Sequence, residues 1–224
     1  MVTPGATTLP TDDSLTAQLS LEQRILPTEY AEAKVYNIRC AAAHVQNLTM
    51  LPGGIFSFWR VVGRPTKTNG YQRGRSLLGG ELQLDYGGGL CQLSGLLYQL
   101  SLRAGLTILE RHPHSLDIYR EAERYAPLGA DATVAYGFKD FRIQNNTTAA
   151  ICFRISVLPE KITVQLCTSA AIKPNLLEFV RTHEDKGTCT VETRRRQPDG
   201  KNYEVVAVSH YPVSLPSRQI DKVQ

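Results

Sequence analysis

The sequence feature that decides the fold is GGGLCQLSGLLYQLSLRAG, residues 87–105. Three consecutive glycines interrupt regular structure, and from Leu93 onward leucines recur at the i, i+3, i+4 and i+7 spacing of a helix with one apolar face. The segment therefore predicts an amphipathic helix that ends at Gly105 and carries Cys91 in its first turn. A thiol at that position meets unpaired backbone N–H groups and the positive end of the helix dipole, and both favour the thiolate.

The rest of the sequence predicts helices first and hairpin-connected strands afterwards. Apolar residues at helical spacing indicate a helix from Tyr30 to Leu48. Runs of apolar and β-branched residues indicate strands at 55–59, 106–111, 132–136, 141–144, 150–158 and 162–167, with a weaker candidate at 76–85. After Pro174 we expect a helix or loop and then a hairpin that turns at 197–200. This order is typical of an α+β domain, with helices on one face of an antiparallel sheet.

The same pattern divides the chain into three parts. Residues 1–28 are rich in Thr, Pro, Ser and Asp without periodicity, which predicts a loosely ordered N-terminal arm. Residues 29–168 hold the predicted helices and the meander of strands, and they form the main domain. Residues 169–224 are predicted to form a C-terminal extension whose β-hairpin packs on the main domain.

The composition is that of a globular protein. Hydrophobic residues make up 42% and charged residues 21% of the 224 residues, unlike a disordered chain. Lys and Arg exceed Asp and Glu by 25 to 21, and this small excess argues against nucleic acid as a partner. The first residues lack the basic and apolar regions of a signal peptide, and no apolar run is long enough for a membrane span. We therefore expect a cytoplasmic location, with association with the cell envelope left open.

The five cysteines do not have the spacing of a metal or redox site. Their number is odd and no CxxC pair occurs, so at least one thiol in the chain stays unpaired. His112 and His114 show no ligand spacing with Cys91. The sequence therefore implies neither a metal nor another cofactor.

Several blocks of the sequence, in the same order, resemble the VanW family. The first blocks are residues 51–63, 70–71, 87–94 and 97–98. The later blocks are residues 110–115, 129–134, 140 and 145–147. The resemblance covers residues 37–164 and implies a bacterial protein associated with the cell envelope or with glycopeptide resistance. It implies no particular reaction.

Cys91, His114 and Asp131 are the candidate catalytic residues. A cysteine nucleophile needs an imidazole that takes its proton and a third group that orients the imidazole. We choose His114 over His112 as the base because it fits the family pattern better, and Asp131 as the orienting acid. The order of a cysteine on a helix, a histidine on a strand and an acid on the next strand resembles the transglutaminase-like and papain-like core.

Each of these residues also has a structural interpretation. Unpaired cysteines are among the most buried residues in proteins, so Cys91 is also a candidate core residue. His114 is also suited to hydrogen bonding within a turn before Ser115, and Asp131 to shaping a β-turn after Gly129. The sequence alone therefore leaves open whether the chain is an enzyme.

The candidate substrate-binding residues surround Cys91 in sequence or belong to the same family blocks. They are Gly87, Gly88, Gly89, Gln92, Ser94, His112, Trp59 and Tyr71. If Cys91 is a nucleophile, we expect an amidase, peptidase or transferase that acts on peptidoglycan peptides or cell-wall precursors. Two alternatives are a module that binds the phosphate or carboxylate of a precursor through the glycine loop, and a structural accessory protein. Trp59 and Tyr71 also suit the core.

Overall fold

A computed structural model of the chain describes residues 15–46, 48–78, 81–115, 126–184, 187–196 and 201–212. Its helices, within these residues, are α1 (Ala31–Gln46), α2 (Phe58–Val62) and α3 (Leu90–Ala104). Its strands are β1 (Thr16–Arg24), β2 (Thr49–Met50), β3 (Ile55–Ser57), β4 (Arg73–Leu78), β5 (Glu81–Tyr86), β6 (Thr107–Glu110), β7 (Arg142–Gln144), β8 (Ile151–Val157), β9 (Lys161–Thr168), β10 (Leu177–Glu184), β11 (Thr188–Arg196) and β12 (Tyr203–Pro212).

All the paired strands are antiparallel. The largest sheet has the order β1-β9-β8-β2, and two three-stranded sheets have the orders β3-β7-β6 and β10-β11-β12. A separate hairpin is formed by β4 and β5. This architecture confirms the predicted α+β class, whereas a transglutaminase-like core is not confirmed.

The largest sheet buries one face against helices. On β9, Ile162, Val164 and Leu166 have no exposed surface, while the side chains between them are partly exposed. That alternation is the pattern of a strand with one buried face. Helix α1 packs on β8, and α3 packs on β1 and β9. The leucine stripe predicted from Leu93 onward is fully buried in this layer, which holds the first turn of α3 in a fixed place.

Several segments differ from the expectations. Residues 16–24, expected to belong to a loosely ordered arm, form the edge strand β1, and Leu19 and Leu21 pack on the core. Two alternating leucines are too short a signal to predict a strand without its partner. The remainder of the predicted arm, residues 1–14, lies outside the described residues.

The segment 132–136 is not a regular strand, and it contributes only an isolated bridge between Ala135 and Lys139. Its buried apolar residues, Ala132 and Val134, instead belong to an irregular segment that is packed in the core.

The C-terminal sheet has one more strand than the sequence indicates. The predicted hairpin is β11 and β12, whose antiparallel register runs from Thr188 opposite Pro212 to Arg196 opposite Tyr203. The predicted turn at 197–200 lies outside the described residues. The segment expected to be a helix or loop is strand β10, which pairs with β11. Its side chains are largely exposed, so its sequence lacks the alternation from which strands are predicted.

None of the helices in the described ranges is long and apolar enough to cross a membrane.

Candidate active site

The loop before α3 consists of glycines because its neighbours leave no room for side chains. A Cβ atom at Gly88 would lie 2.7 Å from the carbonyl carbon of Gly74. Gly89, the residue that precedes α3, has a φ angle of +102°, and a Cβ atom there would lie 2.5 Å from Cγ of Lys34. Only glycine satisfies both the left-handed backbone and the close approach. The loop therefore brings the backbone of residues 87–89 against α1 and β4.

Asn37 of α1 fixes this loop through hydrogen bonds. Its buried amide nitrogen donates to the carbonyl oxygens of Gln72 at 3.0 Å and Gly88 at 3.2 Å, and its amide oxygen accepts from the Gln72 N–H at 2.8 Å. The Gly87 N–H also donates to the Gln72 carbonyl, at 3.2 Å. The Gly87 N–H is therefore already hydrogen-bonded within the protein, which argues against the alternative in which it binds an anion.

Cys91 is the second residue of α3 and is half-buried. Its Sγ lies 3.6 Å from the carbonyl oxygen of Val134 and within hydrogen-bonding reach of the His114 side chain. Burial raises the pKa of the Cys91 thiol, but the hydrogen bond and the charge of His114 outweigh it, and the net pKa lies below the ordinary value for cysteine. The thiolate is therefore favoured at this position.

His114 links the thiol to a carboxylate. Its Nδ1 lies 2.6 Å from Oδ2 of Asp131, and its backbone N–H donates to the same oxygen at 2.7 Å. Because Nδ1 is engaged by Asp131, Nε2 is the ring nitrogen available to Cys91. Burial lowers the pKa of His114, but the hydrogen bonds and charges of Asp131 and Cys91 prevail and raise it to about 10.

The other carboxylate oxygen of Asp131 accepts hydrogen bonds from a cationic side chain and from a hydroxyl. Oδ1 accepts from the Arg111 guanidinium at 3.0 Å and from the Tyr211 hydroxyl. Burial raises the pKa of Asp131, but His114, Arg111 and Tyr211 together hold it well below the usual range. The carboxylate stays ionised, and it fixes both the orientation of the His114 ring and the proton on Nδ1.

Arg111 connects this carboxylate to the C-terminal sheet. Its side chain is 6% exposed and donates to the carbonyl oxygens of Asp131 at 2.7 Å and Gly129 at 3.1 Å. It also donates to the hydroxyls of Ser209 and Tyr211 on β12, and its guanidinium lies 5.0 Å from the centre of the Tyr98 ring on α3. One buried arginine therefore joins α3, the segment around Asp131 and β12.

These contacts support a thiolate–imidazolium pair in the resting site. The pKa of Cys91 is lowered and that of His114 is raised to about 10, so the contacts favour transfer of the thiol proton to His114. The thiolate is the nucleophilic form of cysteine, and the imidazolium is an acid that can protonate a leaving group. The structure thus brings together the three residues predicted from the sequence, Cys91, His114 and Asp131, in contacting order.

The predicted substrate-binding residues on α3, Gln92 and Ser94, lie in the interior. Gln92 is 2% exposed, and its side-chain nitrogen donates to the Arg24 carbonyl of β1 at 2.8 Å. Ser94 is fully buried, and its hydroxyl donates to the carbonyl oxygens of Ala132 and Cys91. Both side chains join α3 to its neighbours. Gly87 and Gly88 are likewise buried, whereas Gly89 is partly exposed.

The other three predicted substrate-binding residues, His112, Trp59 and Tyr71, lie in three different environments. His112 is half-exposed and its Nε2 lies 3.0 Å from the Glu110 carboxylate. Trp59 donates from its indole to the Lys139 carbonyl at 2.7 Å, and its ring meets Tyr136 edge to face. Tyr71 is buried, and burial raises the pKa of its phenol to about 12. Trp59 and Tyr71 thus also serve the structural role considered from the sequence, since both pack on the core.

Three residues of the site were not predicted. Arg111 falls in a family block, but nothing in the sequence shows that it turns towards Asp131. Tyr211 lies 80 residues beyond Asp131, so no local pattern connects them. Lys34 lies in the first turn of α1, near enough for the charge of Cys91 to affect its pKa. Within the described residues, no group of three or more His, Cys, Asp or Glu is arranged to hold a metal ion.

Comparison with known proteins identifies relatives of this chain. It is 35% identical over 137 residues to the vancomycin B-type resistance protein VanW of Enterococcus faecalis, covering 61% of this chain and 50% of that protein. It is 33% identical over 169 residues to the uncharacterized protein YoaR of Bacillus subtilis, covering 74% of this chain and 54% of that protein.

The chain thus spans about half the length of the curated relatives it matches. No solved structure matches it. The sequence profile of the VanW family, described as VanW-like protein, matches residues 33–167, a range that includes Cys91, His114 and Asp131. The chain belongs to the VanW family.

Proposed function

We propose that this chain is a thiol-dependent acyl transferase or hydrolase that acts on peptidoglycan peptides or their precursors. The observation that carries the proposal is the series of contacts from Cys91 through His114 to Asp131 at the start of α3. A nucleophile, a base and an orienting acid in contact are the requirements of covalent catalysis. Cys91 as a residue is partly exposed, which also supports the proposal.

In the proposed reaction, the Cys91 thiolate attacks a substrate carbonyl carbon, and the electron pair of the C=O bond moves to the oxygen. In the first turn of α3 the Leu90 and Gln92 N–H groups donate to the carbonyl oxygens of Gly87 and Gly89. The N–H of Cys91 itself is therefore the group proposed to stabilise that oxygen. Collapse of this adduct breaks the bond to the leaving amine, which takes a proton from Nε2 of His114. The product is a thioester on Cys91.

The second half of the proposed reaction releases the acyl group. Neutral His114 removes a proton from water, for hydrolysis, or from an acceptor amine, for transfer. The incoming atom forms a bond to the acyl carbon, and the carbon–sulfur bond breaks to restore the thiolate. Asp131 stays ionised throughout and keeps the proton on Nδ1, so that Nε2 faces the reacting atoms.

The cell-wall substrate is supported by the relatives. The Enterococcus faecalis protein is named a vancomycin B-type resistance protein. By extension we propose an association with the cell envelope and glycopeptide resistance for this chain. The chain spans about half of that relative, so the substrate of this chain is proposed here on its own account.

Acyl-enzyme trapping tests this function. Incubation with peptidoglycan stem peptides followed by an acid quench should leave the mass of an acyl group on the peptide that contains Cys91, as read by mass spectrometry. Cys91→Ala should lose both the adduct and the turnover. Cys40→Ala is the matched control, because Cys40 is also half-buried but lies on α1, and it should keep both. Turnover that survives in Cys91→Ala would contradict the proposal.

A further inference from the structure

Two cysteines face each other across the centre of the largest sheet. Cys152 of β8 and Cys167 of β9 are directly opposed in the antiparallel register of these strands. Opposed residues of antiparallel strands point to the same face, and their Cα atoms lie about 4.5 or about 5.5 Å apart. A disulfide requires Cα atoms about 4.4–6.8 Å apart. Both kinds of opposed pair meet this requirement, so the backbone already holds the two thiols where a disulfide can join them.

The pair lies on the face of the sheet that points away from the helices. On β9, Leu166 belongs to the main core, and the next residue, Cys167, points to the opposite side. Cys152 and Cys167 form, together with Leu15, a small buried cluster of their own. The Cys167 side chain is also hydrogen-bonded to that of Cys152. The two thiols are therefore in contact with each other and are separate from the chemistry at Cys91.

Leu15 covers the two thiols, and Arg154 holds Leu15 in position. Cys152 is 5% exposed and Cys167 has no exposed surface. The guanidinium of Arg154, two residues along β8 from Cys152, donates to the backbone carbonyl of Leu15 at 2.8 Å. Burial raises the pKa of the Cys167 thiol, and a buried neutral thiol reacts slowly. A bond between the two sulfurs therefore forms most readily while the chain folds, before Leu15 packs over them.

We propose that Cys152 and Cys167 are a disulfide site, and that the bond forms when the chain folds in an oxidising compartment. The oxidant is a disulfide, either of a small thiol or of an oxidoreductase. The thiolate of one cysteine attacks it, forms a mixed disulfide and releases one thiol; the thiolate of the other cysteine then attacks the protein sulfur and releases the second. The two cysteines lose two protons and two electrons, and the oxidant gains them. This inference is independent of the function proposed for Cys91.

The bond would join the two strands on which the helices are packed. Helix α1 packs on β8 and α3 packs on β9, so these strands support both sides of the candidate active site. The two cysteines are 15 residues apart in the sequence. Closing a loop of that length restricts the unfolded chain and stabilises the folded one. We expect the oxidised chain to have a Tm higher than the reduced chain by about 5 °C or more.

Oxidative refolding of the full chain tests this site. The Cys91→Ser variant is used, because the lowered pKa of the Cys91 thiol would make it compete for the oxidant. It is refolded from urea in a mixture of oxidised and reduced glutathione. Trypsin cuts after Arg154 and Lys161, so the two cysteines fall in separate peptides, residues 143–154 and 162–181. Without reductant, mass spectrometry should find most of these peptides as one disulfide-linked species.

Two further variants in the Cys91→Ser chain complete the test. Cys152→Ala should lose both the linked species and the gain in Tm. Cys40→Ala is the matched control, because Cys40 lies on α1, and it should keep both. A refolded chain without the linked species, or with Cys167 joined mainly to Cys40 or Cys189, would overturn the proposal. So would a linked chain whose Tm is no higher than that of the reduced chain, because the sheet would then not accommodate the bond.

Discussion

Replacing His114 with glutamine should lower the rate of alkylation of Cys91 by iodoacetamide at pH 7 by about 30-fold or more. The imidazolium is the main group that lowers the pKa of the thiol, and without it burial raises that pKa. Each unit by which the pKa rises above the working pH lowers the thiolate fraction about tenfold. The measurement is the pH dependence of the alkylation rate at Cys91, read by peptide mass spectrometry.

His112→Gln is the matched control for this prediction. His112 lies two residues away and pairs with Glu110 instead of Asp131. It also appears among the substrate-binding residues predicted from the sequence. We expect its replacement to change the alkylation rate by no more than about twofold. Equal effects of the two replacements would contradict the assignment of His114 as the base.

Replacing Arg111 with methionine should lower the free energy of unfolding by about 3–5 kcal/mol. The guanidinium is buried and bonds to Asp131, to Gly129 and to two hydroxyls of β12. Methionine has a comparable apolar length, but it removes one donor from the Asp131 carboxylate and the side-chain donor from the carbonyl oxygens of Gly129 and Asp131. The stability is measured by urea denaturation, with the transition midpoint and slope compared between variant and wild type.

Arg75→Met provides the comparison for Arg111, because Arg75 is an exposed residue of β4. Its replacement should change the free energy of unfolding by no more than about 0.5 kcal/mol. In Arg111→Met we also expect the pKa of Asp131 to rise, since the guanidinium is one of the charges that depress it. If Arg111→Met is as stable as the wild type, the proposed contribution of the Arg111 hydrogen bonds to stability is contradicted.

Through Arg111, the site includes two residues that lie beyond the region matched by the family profile. The family match ends at residue 167, whereas Ser209 and Tyr211 lie on β12. Tyr211 is 1% exposed, accepts the Gly129 N–H at 2.9 Å and donates to Asp131. The C-terminal sheet therefore contributes to holding the Asp131 carboxylate in place.

The fold was predictable where a pattern was long or strongly periodic. The helix after the glycines is such a case, because four leucines in one stripe fix both its period and its buried face. Strand β1 was not predictable, since its place in the sheet depends on pairing with β9, about 140 residues later. The irregular segment around Val134 has the apolar residues of a strand because it is buried in the core, but it lacks regular pairing.

The site was predictable in part for a similar reason. Cys91 was found because glycine and helix signals are local, and His114 because the family pattern includes it. His114 and Asp131 are 17 residues apart in the sequence, and their direct contact is a feature of the tertiary structure. Lys34, Arg111 and Tyr211 reach the site through tertiary packing, which no local pattern records.

The proposed chemistry depends on the ionisation of the Cys91 thiol. The most direct test is the ultraviolet absorbance of the thiolate, titrated with acid and expressed as the difference between the wild-type chain and Cys91→Ser. We predict a titration step below the ordinary pKa of a cysteine thiol. A step at or above the ordinary value would show a neutral thiol in the resting protein and would contradict the thiolate–imidazolium pair.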